Sequence, residues 1–171
     1  MAQSETAVVC DAGPLIHLDE LAAHDLLCDF AEVFVPDAVW REVERHRPQA
    51  LHHTDVALTR VSVDIEEDAA FTSLAQALSL DSGEREAIQL TRQKDAAILL
   101  TDDAAARLAA ESLNLRVHGT IGILLRAIRR NRRTPSDAVT LIEQIPDRSS
   151  LYIRPELLAD IVRQVKTEYG L

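Results

Sequence analysis

Short apolar runs alternate with stretches of helical periodicity along most of the chain. The strand-like runs are 6–10 (TAVVC), 33–36 (VFVP), 59–65 (TRVSVDI), 96–101 (AAILLT) and 115–117 (LRV). Apolar residues between them recur at the three- and four-residue spacing of amphipathic helices. This alternation predicts a parallel sheet covered by helices, and the AAILLT run is the best candidate for its central strand.

The predicted helices fill the stretches between these runs and the end of the chain. Asp37 is placed as the N-cap of the second of them. Their predicted bounds are 15–27, 38–45, 66–78, 84–94, 104–113, 121–130, 136–145 and 156–166. No repeat or low-complexity linker interrupts the pattern. We therefore expect one domain over residues 1–171, with the C-terminal helices from about residue 134 packed on it.

Composition agrees with one globular domain. Of the 171 residues, 47% are hydrophobic and 27% are charged. No apolar stretch approaches the ~20 residues of a membrane span, and the first ten residues lack a basic region before an apolar core. We expect a cytoplasmic protein with no membrane association. Cys10 and Cys28 lack a CxxC spacing and are expected to be buried core residues.

Charge is distributed unevenly along the chain. The formal net charge is −10, which at first argues against a polyanionic substrate. Residues 1–125 carry 9 Lys and Arg against 22 Asp and Glu, whereas residues 126–171 carry 9 against 6. The asymmetry is compatible with an acidic metal pocket beside a basic rim, and equally with ordinary solvated helices.

Acidic residues directly follow two of the predicted strands. Asp11 comes after TAVVC, and Asp102 and Asp103 come after AAILLT. Ligands of open parallel sheets bind outside the carboxyl ends of the strands, where loops and helix amino termini converge. Carboxylates crowded there raise one another's pKa unless protons or cations neutralise them. The sequence therefore predicts a site for hard divalent cations at this edge.

Two further carboxylates are placed where they can reach the same edge. Glu42 lies in the helix after the second strand, and Glu84 begins a helix right after a glycine. Ala87 and Ile88 share the helix face of Glu84, which predicts that this carboxylate points inward, whereas Glu86 projects elsewhere. Mg²⁺ and Mn²⁺ prefer oxygen ligands, and Mg²⁺ keeps several waters, so some carboxylates would act through water.

Each of these residues also has a structural interpretation. A carboxylate at the start of a helix, such as Asp37, Asp103 or Glu84, commonly caps the helix or interacts with its dipole. Glu42 fits a solvated helix face equally well, and Asp11 fits a turn that needs local hydrogen bonds. The conjunction of these carboxylates at one edge favours a functional site more than any single residue does.

Four segments of the chain resemble PIN-domain proteins, specifically the compact prokaryotic branch related to VapC toxins. They occur in the order of that family. The segments are VVCDAGPLIHL at 8–18, VPDAVWREV at 35–43, LDSGEREAI at 80–88 and LLTDDAAAR at 99–107. The resemblance implies a three-layer α/β/α sandwich with a mainly parallel sheet. It also implies an acidic quartet that binds Mg²⁺ or Mn²⁺ and hydrolyses RNA.

Transferred by motif, the quartet becomes Asp11, Glu42, Glu84 and the Asp102-Asp103 pair. The resemblance implies metal-assisted phosphodiester hydrolysis, in which a cation activates water and stabilises the transition state. Asp11 and either Asp102 or Asp103 are expected to bind metal directly, and Glu84 is counted among the ligands. Glu42 and Glu84 would orient metal-bound water. The choices between Asp102 and Asp103, and between Glu84 and its neighbour Glu86, stay open.

The same resemblance implies partners. An endoribonuclease toxin of a type II toxin-antitoxin pair would act on RNA, bind a small antitoxin protein and form a homodimer. Positive charge supplies most sequence-independent RNA affinity, so late arginines are candidate phosphate contacts. They are Arg126, Arg129, Arg130, Arg132 and Arg133. The alternative interpretation of these arginines is an ordinary solvated helix end with no contact to RNA.

Other residues contribute less to the prediction. Thr101 is placed to assist by hydrogen bonding. The six histidines form no catalytic set, and Trp40 and Phe34 fit the core or a dimer contact better than a base-stacking platform. A phosphoacceptor receiver domain is disfavoured, because neither Lys94 nor Lys166 follows a strand. A catalytically silent PIN-fold module that binds RNA or protein remains the main rival.

Overall fold

The strands form one parallel sheet. The structure is a computed structural model that describes residues 6–64, 68–94 and 98–171. Within them lie β1 (Ala7–Cys10), β2 (Glu32–Pro36), β3 (Leu58–Val61), β4 (Ile98–Leu100) and β5 (Val117–His118). The sheet order is β3-β2-β1-β4-β5, and every neighbouring pair is parallel. The chain adds β2 and β3 on one side of β1 and then β4 and β5 on the other side. The switch point of the sheet therefore lies between β1 and β4, at the carboxyl end of β1.

Helices connect the strands and complete the C-terminal part. In chain order they are α1 (Ala12–Glu20), α2 (Asp37–His46), α3 (Ala69–Ala77), α4 (Ser82–Gln93), α5 (Ala104–Ser112), α6 (Thr120–Arg129), α7 (Pro135–Glu143), α8 (Ile145–Arg148) and α9 (Pro155–Tyr169). Short 3₁₀ helices occupy His24–Asp29 and Pro48–Leu51. The predicted α/β alternation is confirmed.

Residue alternation along the strands builds two apolar layers. Val8 and Cys10 of β1 face one layer, together with Leu15 and Leu18 of α1. Val9 faces the other layer, whose helices are α3, α4 and α5. Because both faces of the sheet are covered by helices, the central strands β1 and β4 are entirely apolar, whereas the edge strand β3 exposes Thr59 and Arg60. The molecule is therefore the expected three-layer α/β/α sandwich.

The first predicted helix was too long. The apolar pattern of residues 15–27 does not form one helix, because α1 ends at Glu20 and a 3₁₀ helix follows from His24. Ala22 adopts a φ of 53°, in the left-handed region. One such residue stops an α-helix, since its backbone no longer continues the i to i−4 hydrogen bonds.

Three smaller predictions were wrong. Asp37 does not cap α2, whose N-cap is Pro36; Asp37 lies in the first turn and forms an ion pair with Arg60. Cys10 is buried as expected, but Cys28 is exposed and its thiol donates to a backbone carbonyl. The last strand begins at Val117, two residues later than predicted. Predicted positions at 65–67 and 96–97 lie outside the described residues.

The C-terminal helices pack against the preceding part of the chain. Val139 of α7 and Val165 of α9 share a small apolar cluster with Ile128 of α6. Ile142 and Ile145 belong to the main core. Among the residues that the structure describes, no helix is both long and apolar enough to cross a membrane.

Candidate acidic active site

A cleft of about 320 Å³ opens at the carboxyl edge of the sheet. All five carboxylates that the sequence predicted for the site contribute to its wall. The acidic and histidine residues that line it are Asp11, His17, Glu42, Asp81, Glu84, Asp102 and Asp103. They come from the ends of β1 and β4 and from α1, α2 and α4, so the fold collects acidic groups that are distant in sequence.

Asp11 is the most buried of these carboxylates, with 6% of its surface exposed. Strand register places it, because Cys10 pairs with Leu100 and the residues that follow are then neighbours. The Thr101 hydroxyl donates to one carboxylate oxygen at 2.8 Å, and the Ala12 amide donates to the other at 2.8 Å. Burial nevertheless raises the pKa of Asp11 to about 6, because these bonds offset only part of the desolvation.

Glu84 and Asp81 begin α4 together. The Asp81 carboxylate accepts from the Glu84 amide at 2.9 Å, and the Glu84 carboxylate accepts from the Asp81 amide at 2.8 Å. This reciprocal capping box fixes both side chains at the cleft. Burial raises the pKa of Glu84 to about 7, and the charges of Asp81, Asp103 and Asp11 add to the rise.

Glu42 reaches the cleft from α2 and meets Asp81 beside Gly83. A methyl group at Gly83 would lie 3.3 Å from a Glu42 carboxylate oxygen and 3.4 Å from an Asp81 oxygen. Burial, followed by the charge of Asp81, raises the pKa of Glu42. Glu86 does not line the cleft; its carboxylate accepts from the Ala38 amide at 2.8 Å and so caps α2 from the neighbouring helix.

Asp102 is held by hydrogen bonds on both of its oxygens. The Thr120 amide donates to one oxygen at 2.7 Å, whereas the Thr120 hydroxyl at 2.6 Å and His17 Nδ1 at 2.7 Å contact the other. Burial alone would raise the pKa of Asp102, but these bonds outweigh it and lower the pKa. A methyl group at Gly119 would lie only 2.6 Å from an Asp102 oxygen, so the start of α6 closes tightly on this carboxylate.

Asp103 combines a capping bond with exposure to the cleft. One of its oxygens accepts from the Ala106 amide at 2.7 Å, which caps α5. Within the described residues no hydrogen bond engages its second oxygen. Of the two neighbouring aspartates, Asp103 therefore has a carboxylate oxygen available for an external ligand, whereas both oxygens of Asp102 already accept hydrogen bonds from His17 or Thr120.

The donor chemistry of the cleft fits a hydrated divalent cation. Carboxylate oxygens are the ligands that Mg²⁺ and Mn²⁺ prefer, and two of these groups have pKa values of about 6 and 7 that a cation would lower. Among the described residues no three acidic, cysteine or histidine side chains stand ready to hold one ion together. Mg²⁺ takes only one or two carboxylates directly and keeps several waters, so it does not need three side chains within direct bonding distance.

Most of the predicted phosphate-contacting arginines form ion pairs on the protein itself. Asp29 accepts from Arg126 at 2.7 Å and from Arg130 at 3.2 Å. Arg133 pairs with Asp25 at 2.7 Å. Arg129 is exposed and has no ion pair with any residue in the described ranges. RNA contact by Arg126, Arg129 and Arg130 stays a prediction.

Sequence analysis did not count Asp81 or His17 among the residues of the site. The D-x-x-E spacing from Asp81 to Glu84 is nevertheless the pattern of a capping box. His17 was counted only among the six histidines that form no catalytic set. Its position four residues after Gly13, on the same face of α1, could have indicated that it returns to the edge where Asp11 lies.

These features define a class of protein: a three-layer α/β/α domain with an acidic cleft at the switch point of its parallel sheet. The chain belongs to the PIN-domain family, because the sequence model of that family matches residues 7–167. The family gives the chain a nuclease-type fold, and PIN domains typically use divalent metal ions. No curated protein is similar enough to the chain to count as a relative.

Proposed function

We propose that the protein is an Mg²⁺- or Mn²⁺-dependent endoribonuclease. One observation carries the proposal: six carboxylates from four parts of the chain line one cleft, and burial holds the pKa of Asp11 near 6. Such a group is costly without a ligand, and perturbed carboxyl groups concentrated in a cleft are typical of functional sites. Membership of the PIN family supports nucleic acid as the substrate.

Asp11 and Asp103 are the residues that would hold the cation directly, and Glu84 would contact it through a bound water. All three line the cleft, and the charges of Asp11 and Asp103 both raise the pKa of Glu84. Asp102 would not hold the cation, since its oxygens are engaged by His17 and Thr120; it would instead keep those two residues in place beside the cleft. A bound divalent cation supplies Lewis acidity toward a phosphate oxygen and lowers the pKa of a water.

Glu84 is suited to accept the proton of the attacking water. A general base works best when its pKa lies near the working pH, and the pKa of Glu84 is about 7. Its bond from the Asp81 amide holds the carboxylate in place while the second oxygen stays available. The charges of Asp81, Asp103 and Asp11 keep the pKa of the base high.

Cleavage of a mixed RNA pool tests the proposal. We expect cleavage with Mg²⁺ or Mn²⁺ and its loss with EDTA or in Asp11→Asn, which preserves the shape of the side chain. Asp25→Asn is the matched control, because Asp25 is an exposed aspartate outside the cleft. Metal binding without cleavage under any condition would contradict the proposal and favour a silent PIN module.

The resemblance of four segments to VapC toxins supports a toxin of a type II pair as the biological role, with a small antitoxin as partner. Induced expression should then arrest growth in the wild type and not in Asp11→Asn. Growth unaffected by a protein that cleaves RNA in vitro would exclude the toxin role and leave the ribonuclease proposal standing.

A further inference from the structure

The segment between α8 and α9 crosses the edge of the acidic cleft. Ser150, Leu151 and Tyr152 line the cleft together with the carboxylates. Glu20, at the end of α1, fixes the segment: its carboxylate accepts from the Ser149 hydroxyl at 2.9 Å, the Ser150 amide at 2.7 Å and the Ser150 hydroxyl at 3.0 Å. The segment is therefore anchored beside the site.

Side chains of this segment alternate between the core and solvent. Leu151 and Ile153 pack against the main apolar core, whereas Tyr152 and Arg154 are exposed. Tyr152 exposes 82% of its surface, the largest value among the exposed large apolar side chains of the described residues. Aromatic side chains normally bury their rings, so an anchored backbone that presents one to solvent suggests a ligand for the ring.

Tyr152 also lines two clefts beside the acidic one. A cleft of about 400 Å³ shares Asp102, Leu151 and Tyr152 with the acidic cleft, and Arg107 lines it. A groove of about 890 Å³ extends from Tyr152 along α9. Leu108, Leu157, Tyr169 and Leu171 are the other exposed large apolar residues, and none of them lines the acidic cleft. A strand with one phosphate at the carboxylates would pass Tyr152 on its way toward Arg107.

We propose that Tyr152 stacks on a base of the RNA beside the phosphate in the acidic cleft, and that Arg154 contacts the backbone of the same strand. The proposal rests on the ribonuclease function proposed above. Proteins that bind single strands combine aromatic rings, which accept any base, with nearby positive charge. Tyr152 and Arg154 supply this combination on one anchored segment, and Arg107 extends the positive charge into the second cleft.

Binding and cleavage by Tyr152 variants test the stacking. Affinity is measured by anisotropy of a labelled single-stranded RNA pool with Mg²⁺ in an Asp11→Asn background, and KM and kcat are measured in the active protein. Tyr152→Ala should raise both Kd and KM by about 5- to 150-fold, the value of one base stack, with a smaller change in kcat. Tyr152→Phe should behave as the wild type.

Tyr152→Leu distinguishes stacking from an apolar contact with a protein. Leucine keeps an apolar side chain but has no π face, so we expect it to bind RNA as weakly as Tyr152→Ala. Leucine that binds as well as phenylalanine would overturn the proposal and favour a protein partner on this surface. Unchanged Kd and KM in Tyr152→Ala would overturn it as well. Tyr169→Ala, an exposed tyrosine outside the cleft, is the matched control.

The outcomes separate this proposal from the function on which it rests. A wild-type protein that neither binds nor cleaves RNA with Mg²⁺ or Mn²⁺ would overturn both. A wild type that cleaves, with Tyr152→Ala equally active at the same KM, would overturn the stacking alone. Circular dichroism and thermal unfolding of every variant show that a loss is not a folding defect, and the Phe variant provides the rescue.

Arg154→Gln tests the backbone contact. Each phosphate contact to a single strand contributes about 0.7 to the slope of log K against log salt, so this variant should reduce the slope by roughly that amount. Arg163→Gln is the control, because Arg163 is an exposed arginine of α9 already paired with Asp160. An unchanged slope in Arg154→Gln would remove Arg154 from the proposal.

Discussion

Asp11 illustrates the energetic cost of this site. A carboxylate with 6% exposure loses most of its hydration, and two hydrogen bonds recover only part of that loss, so its pKa stays near 6. An aspartate in the unfolded chain ionises near pH 4. Above pH 6 the folded protein therefore carries a charge that is less favourable than in the unfolded chain. A cation that binds only the folded state would reverse this penalty.

We predict that Mg²⁺ stabilises the protein more at pH 8 than at pH 5. At pH 8 Asp11 and Glu84 are ionised and free to bind, whereas at pH 5 each holds a proton that the cation must displace, since their pKa values are about 6 and 7. At saturating Mg²⁺ we expect Tm to rise by about 5 to 10 °C at pH 8 and little at pH 5. Differential scanning fluorimetry measures both shifts.

NaCl at equal ionic strength provides the control, because general screening would act with either salt. Asp11→Asn should lose most of the Mg²⁺ shift at pH 8. An equal Mg²⁺ shift at both pH values would contradict the assignment of these two carboxyl groups to the cation.

The residues of the cleft were predictable to different degrees. Asp11 and the Asp102-Asp103 pair follow strands directly, so topology alone predicted their edge, and the structure places all three at the cleft. The contact between His17 and Asp102 joins residues 85 apart in sequence. It depends on how α1 packs beside the β4–α5 connection, and apolar periodicity carries no information on that distance.

At the scale of elements, the period of the apolar pattern predicted the sheet and most helices because each buries one regular face. It could not predict where backbone conformation stops an element. Ala22 has a positive φ just after α1, although it is not a glycine. Prediction from glycine and proline positions overlooks such a boundary, whereas the end of α3, beside the LDSG segment, was predicted to within one residue.

We predict that Glu86→Ala destabilises the protein through α2. The N-cap of α2 is Pro36, which offers no capping side chain, and the Glu86 carboxylate supplies the missing acceptor to the Ala38 amide. Loss of this bond should lower the free energy of unfolding by about 1 kcal/mol, the usual value of a helix cap. Because Glu42 lies on α2, RNA cleavage should fall as well. Urea unfolding and a cleavage assay measure the two effects.

Glu84→Gln is the informative comparison, since it removes a charge from the acidic cluster while its amide oxygen still accepts from Asp81. It should be as stable as the wild type and inactive. Glu86→Gln, which also keeps an acceptor, should retain most stability. A stable, inactive Glu86→Ala beside an active Glu84→Gln would exchange the roles of the two glutamates.

At the scale of the whole molecule, the charge asymmetry along the sequence does not survive in space. The C-terminal region is net positive, yet Arg126, Arg130 and Arg133 pair with Asp25 and Asp29 from the N-terminal part. Arginines in α6 and just after it thus form ion pairs with a distant part of the chain. With a net charge of −10, RNA binding must depend on a few local contacts. This favours Arg107, which lines the neighbouring cleft, and Arg154, on the segment that carries Tyr152, over the predicted arginine series.

The whole molecule should also lose stability in weak acid because of His24. Burial, together with the neighbouring His53 whose ring stacks on it at 4.2 Å, lowers the pKa of His24 to about 4. The unfolded chain takes up this proton near pH 6.5, so stability falls from pH 6.5 to about 4 and is then constant. Between pH 7.5 and 4.5, wild type should lose about 2 to 3 kcal/mol more than His24→Phe in urea unfolding. His52→Phe, at an exposed histidine, should follow the wild type. Equal losses in all three proteins would show that His24 is not the titrating group.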